Sequence, residues 1–179
     1  MASPEDVRMS DSTDGRDQLA YCGFYCGDCL GRTGVIADAA ERFRAVLDKY
    51  QFEKTAHAMF SDEMPEYDKL TDMVTFMAGL RCPAVCRDRE GDSNCGAKRC
   101  CIEKGYFACY ECDGFETCET LKKAQVGIHE EACMLNLRAI CEMGLDTWLE
   151  CGRRHTYWTL GGDDPVGRGG DDEGQGQAV

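Results

Sequence analysis

Residues 81–118 read RCPAVCRDREGDSNCGAKRCCIEKGYFACYECDGFETC, and eight of these thirty-eight are cysteine: Cys82, Cys86, Cys95, Cys100, Cys101, Cys109, Cys112 and Cys118. Periodic apolar residues are too sparse here for an ordinary helix or strand. A segment that no hydrophobic core can fix must be held by disulfides or by metal. Residues 1–20 contain no apolar run suited to a signal-peptide core. No later stretch approaches the roughly 18 apolar residues that a membrane span requires. The expectation is therefore a cytoplasmic chain with no membrane contact, whose reduced thiols serve as ligands or core residues. Free thiols in such number would oxidise and cross-link, which points to metal.

The spacings suit that chemistry. Cys109-x2-Cys112 has the form of a knuckle, in which a tight turn aims two thiolates at one ion, with Cys118 close behind. Cys82-x3-Cys86 is a looser pair, and the two pairs together resemble a slightly long four-cysteine zinc ribbon. Cys95-x4-Cys100 lies between them, so a second site can share the block. Because Cys100 and Cys101 are adjacent, Cys100 is expected to be the ligand and Cys101 to be packed or free. Upstream, Cys22-x3-Cys26-x2-Cys29 offers three thiols that need a fourth partner. Gly23 and Gly27 follow cysteines directly, where a positive φ would turn backbone N–H groups toward sulfur. The ten candidate ligands suit two zinc ions, or alternatively an iron–sulfur centre such as [4Fe-4S], since thiolates serve both.

Around these motifs the chain reads as helix. Ile36, Ala39, Ala40, Phe43, Val46, Leu47 and Tyr50 recur at three- and four-residue steps, predicting a helix over 36–50 that continues, bent, toward Phe60. Ser61 or Asp62 is expected to cap a second helix with Pro65 in its first turn and an apolar stripe of Tyr67, Leu70, Val74, Met77 and Leu80. Further helices are expected over 115–126, over 128–143 with Gly144 as the stop, and in a last amphipathic stretch over 145–154 anchored by Trp148 and Leu149. Strands are expected only as short hairpins at the knuckles. Cys133, Cys141 and Cys151 read as soft core residues on helix faces, with Cys151-x3-His155 as a ligand-like spacing on one face. His57 and His129 read as surface or capping residues.

The net charge of −13 argues against a nucleic-acid surface, which needs a basic face. Part of the excess lies in residues 1–18 and 161–179, and the polar composition of 1–18 and 159–179 predicts disordered tails flanking a single domain over 19–158. No Ser-His-Asp set, phosphate loop or paired carboxylates stand out, so no catalytic residue is assigned and the chain leans away from being an enzyme.

The opening YCGFYCGDC at 21–29, the pair Cys82 and Cys86, and CGAKRCCIEKGYFACYECDGFETCETLKK at 95–123 together resemble the cysteine-rich domain-of-unknown-function family 3795. Cys22, Cys26, Cys29, Cys82, Cys86, Cys95, Cys100, Cys109, Cys112 and Cys118 match its cysteines. MGLDTWLECGRRHTYW at 143–158 is similar to the closing helix of many members. The chain departs from the family at Leu30, where a proline often stands, and at Cys101, which replaces a small residue. Cys141 and Cys151 have no family counterpart. The resemblance implies a small protein held to bind zinc, and brings no activity.

The resulting expectation is a small α-rich (α+β at most), metal-stapled cysteine-knuckle domain with helices packed around the cysteine sites. Its expected role is a structural or interaction module with a protein or small-molecule partner. An iron–sulfur protein that carries electrons or assists a redox enzyme is the alternative.

Overall fold

In a computed structural model the chain is described over residues 15–88, 94–125 and 127–160. It is helical, and among these residues the only β pairing is one isolated bridge between Leu19 and Tyr25. The short α1 (Leu30–Thr33) follows the first knuckle. It leads into a helical arm made of α2 (Val35–Lys49), α3 (Phe52–Met59) and α4 (Tyr67–Ala78). The body consists of α5 (Gly96–Lys104), α6 (Glu119–Ala124), α7 (Glu130–Met143) and α8 (Leu145–Cys151).

The arm's first part matches the sequence expectation: the helix ends at Lys49, Gln51 takes a left-handed conformation at φ 47°, and the run continues past this bend as α3. The arm departs from the expectation in two ways. Its last helix starts at Tyr67, so Pro65 lies ahead of the helix and not in its first turn. The apolar stripe of α2 also divides. Ala40 faces α4 with Ala37 buried beside it, whereas Phe43, Val46 and Tyr50 are exposed. The arm's own core is small, built on Ala40, Val74 and Ala78 with Leu70 and Met77 against them. At its base the Cys82 N–H donates to Gly31 O at 2.7 Å, and Arg81 pairs with Asp38 at 2.6 Å and Glu41 at 3.2 Å.

The body has two apolar clusters. One joins Ala97 and Cys101 of α5 to Cys109, Phe115, Leu121 of α6 and Leu137 of α7. The other joins Leu19, Ala108, Ile140, Leu145 and Trp148. A helix inside the cysteine block was not expected from its composition. It forms because Ala97 and Cys101, four residues apart, supply a narrow buried stripe, and because Gly105 (φ 71°) lets the Tyr106 N–H return to Cys101 O as a C-terminal cap. Three further expectations match the structure: a break at Gly144, a fully buried Trp148 and a packed Cys101. Residues 15–18, read as part of a tail, form a 3-10 turn whose Arg16 pairs with Asp146. Residues 1–14 and 161–179 lie outside the described residues. Among the described residues no helix is long and apolar enough to cross a membrane.

With no sheet among the described residues, the knuckle segments are tied down by side chains. Asn136 of α7 is 1% exposed and bonds in three directions: its Nδ2 donates to Gly23 O (3.1 Å) and His155 O (3.0 Å), and its Oδ1 accepts from His155 N (2.8 Å). Arg87 spans Leu19 O (2.7 Å) and Phe107 O (2.8 Å) while its guanidinium stacks on Tyr21 and Phe107. Asn136→Ala strands buried peptide groups on two segments. It is expected to cost about 3 kcal/mol, read as a lowered denaturant midpoint. Removal of the exposed Lys122–Glu119 pair is expected to change stability by less than about 0.5 kcal/mol.

Candidate metal centre

The first knuckle begins where the Leu19–Tyr25 bridge turns the chain. Gly23 sits at φ 90° and packs on α7 so closely that a Cβ there would meet Cys133 O at 2.5 Å and Leu137 Cγ at 2.7 Å. Gly27 has no positive φ. It is needed because a Cβ would strike the Tyr25 ring at 2.4 Å, a packing reason and not the conformational one expected. The base of the arm then brings in the second segment. With Cys82 bonded to Gly31, the Gly31 Cα faces both Cys82 Cβ and Cys29 Sγ, each within 4 Å of a Cβ built there.

These segments enclose a cavity of about 760 Å³. Cys22, Cys26, Cys29, Cys82, Cys86 and Cys95 line it, so three separate stretches of sequence bring six candidate ligands to one space. Cys133 of α7, read as a core residue, is both buried and part of this lining. Among the described residues no three Cys, His, Asp or Glu side chains converge on a point able to hold one ion. The thiols are arrayed around the cavity.

The four remaining candidates do not line the cavity, although Cys22 and Cys95 of its lining pack against the same apolar cluster as Cys109, Cys112 and Cys118. Cys109 is buried in the body core with its Sγ 3.6 Å from Cys101 Sγ. Cys112 and Cys118 pack against the same cluster as Cys109, and Cys100, then Cys112 and Tyr106, and more weakly Cys118, hold the Lys104 ammonium above its ordinary range. Cys82 and Cys86 line the cavity, whereas Cys109 and Cys112 do not. Cys141 and Cys151 are exposed, contrary to the core reading. The helix face proposed for Cys151 and His155 does not exist, because α8 stops at Cys151 and Gly152 is left-handed.

The thiols differ in acidity. A hydrogen bond from Cys133 pulls Cys22 down to about 7, against the opposing effect of burial, and Cys133 is pushed up by the same bond and by burial. Burial, with the neighbouring Cys22, Cys26 and Cys95, pushes Cys86 up to about 11. Burial also raises Cys26.

Two polar residues of the lining were not assigned roles from sequence. Gln125, 6% exposed, donates through Nε2 to Cys22 O at 3.2 Å and leaves its buried Oε1 without a protein partner. His129 stacks edge-on against Phe24 and Tyr157, has a buried Nδ1 without a partner, and is held toward its neutral form by burial. Neither has a spacing signal, since their position depends on the turn between α6 and α7.

Residues 18–123 match the family model described as "Protein of unknown function (DUF3795)". The chain belongs to that family. The match covers more than half of the chain and includes all ten candidate cysteines, but it ends before α7. Within this DUF3795 protein, Cys133, Asn136 and His129 therefore lie beyond the matched span, although the sequence resemblance extends to Trp158. No curated protein and no solved structure matches the chain.

The acidities set a pH profile for the reduced, metal-free DUF3795 chain. Cys22, depressed, contributes stability that is present above its ordinary value near 9 and lost as pH falls through about 7. Cys86, elevated, contributes stability that is present below 9 and lost as pH rises through about 11, and Cys26 and Cys133 act in the same sense. The thiol contribution is therefore expected to peak near pH 9. Thermal unfolding followed from pH 7 to 11 with chelator and reductant checks this, and a midpoint that keeps rising above pH 9 contradicts it.

Proposed function

We propose that this DUF3795 protein binds metal through the cysteines of the cavity, and that the metal joins the knuckle, the base of the arm and α5 into one structure. The observation that carries the reading is the gathering of Cys22, Cys26, Cys29, Cys82, Cys86 and Cys95 around one cavity from three stretches of chain. All fourteen cysteines stand as free thiols, in keeping with a reduced, cytoplasmic setting. Zinc in a structural role is the leading identity, with Cys100, Cys109, Cys112 and Cys118 as the second ligand group. Ligands scattered in the unfolded chain become ordered only when bound, so metal affinity contributes directly to folding. On this reading the protein is a structural or interaction module.

A specific feature favours the second reading, an iron–sulfur centre. Four thiolates on one zinc lie within about 4 Å of each other, given Zn–S bonds near 2.3 Å. In a cluster each cysteine takes its own iron, so the sulfurs stand farther apart. The cavity thiols, which do not converge on a point, suit the wider arrangement.

Anaerobic purification, metal analysis and a visible spectrum separate the two. About two zinc ions in a colourless protein support the zinc reading. Iron with acid-labile sulfide and absorbance near ~400 nm supports the cluster. Protein that carries neither metal after anaerobic expression refutes both. Cys26→Ser and Cys29→Ser are each expected to lower bound metal at least about tenfold, whereas Cys141→Ser leaves it unchanged. Because the ligating thiols must be deprotonated, the metal is expected to be released on acidification.

A further inference from the structure

Cys101 of α5 and Cys109 meet in the body core with their sulfurs 3.6 Å apart, both as free thiols. A disulfide holds its sulfurs at about 2.05 Å, so closing this pair asks for a movement of roughly 1.5 Å. The chain between them can supply it. It comprises the end of α5 and the turn at Gly105, where a built Cβ meets nothing within 4 Å, so that turn has open space to shift into. The two ends stay in register meanwhile. The Tyr106 N–H donates to Cys101 O at 2.9 Å, and the Cys109 N–H donates to Tyr21 O at 2.9 Å. Exposure differs between the partners, at 1% for Cys101 and 8% for Cys109. A bulky disulfide oxidant is thereby kept out, and a small one meets Cys109 first.

We infer that Cys101 and Cys109 form a site of reversible oxidation, closed to a disulfide by hydrogen peroxide. The Cys109 sulfur attacks one peroxide oxygen and the O–O bond breaks. The thiol proton goes to the departing oxygen, which leaves as water, and Cys109 becomes a sulfenic acid. The Cys101 sulfur then attacks the Cys109 sulfur. The S–S bond forms, the S–O bond breaks, and the Cys101 proton leaves with the hydroxyl as a second water. Two thiols give up two electrons, and one peroxide is reduced to two waters. The disulfide itself does not depend on metal. Its consequence rests on the metal reading proposed above: Cys109 is one of the second ligand group, so the disulfide removes a donor and frees the metal held there. Cys101, outside that group, is the resolving thiol.

The test treats the protein, as purified and kept reduced, with hydrogen peroxide. Remaining thiols are alkylated and the cysteines mapped by mass spectrometry, with fragment ions that separate Cys100 from Cys101. A Cys101–Cys109 link that dithiothreitol reverses is expected. The exposed Cys141 reports on the same map that the oxidant has acted. If Cys101 and Cys109 are still free thiols once Cys141 is oxidised, or if Cys109 is joined to another cysteine, their contact is packing only and the inference fails. Cys101→Ala is expected to raise the share of Cys109 that dithiothreitol cannot recover at least about fivefold, because a sulfenic acid with no resolving thiol proceeds to the sulfinic acid. An unchanged share also overturns the inference, and where this variant does not fold the wild-type map decides alone. Metal is measured before and after treatment and is expected to fall in step with the disulfide. A disulfide that forms while all metal is retained overturns the metal-release step. Protein that holds no metal at the outset refutes the metal reading, and the thiol map still decides the pair.

Discussion

A buried amide in three hydrogen bonds, Asn136, is the contact on which the rest of this fold leans. Backbone polar groups removed from water must be paired, and a protein with a sheet pairs them by strand ladders. Among the described residues this one has a single bridge, Leu19 to Tyr25, so its knuckle segments have almost no ladder to join. Side chains take that role. Asn136 holds Gly23 and His155, Arg87 holds Leu19 and Phe107, Lys98 holds Cys86 O and Arg87 O, and Gln125 holds Cys22 O. Each spans segments that are distant in sequence. Together they place the thiols before any metal is considered.

The arm fits this scheme as an excursion closed at its base. Residues 30–81 leave and return such that Cys29 and Cys82 face each other across Gly31, and closing so long a loop carries an entropic cost that grows only slowly with its length. The Gly31–Cys82 hydrogen bond and the Arg81 pairs with Asp38 and Glu41 offset that cost in part, although the ion pairs are exposed and individually weak. A metal bridging the two sides of the closure would act where the chain is least secured by apolar contact. On the proposed metal reading, that is why a body with ordinary clusters around Leu137 and Trp148 also concentrates cysteine at the cavity.

Helices α6, α7 and α8 and the stop at Gly144 were legible because they rest on local signals, periodic apolar residues and a glycine that can adopt a conformation other residues avoid, whereas α5 was not. The identity of the family was legible for the same reason, since cysteine spacing is a one-dimensional pattern. What sequence could not convey was which cysteines meet. Cys82 and Cys86 have the spacing to join Cys109 and Cys112, yet the Gly31–Cys82 bond commits them to the knuckle at residues 22–29. Cys133 looked like a core residue and is one, but the Gly23 contact also makes it a neighbour of Cys22. The exposed half of α2 misled for a related reason. An apolar stripe indicates a face that packs, and α4 covers only the alanine side of it.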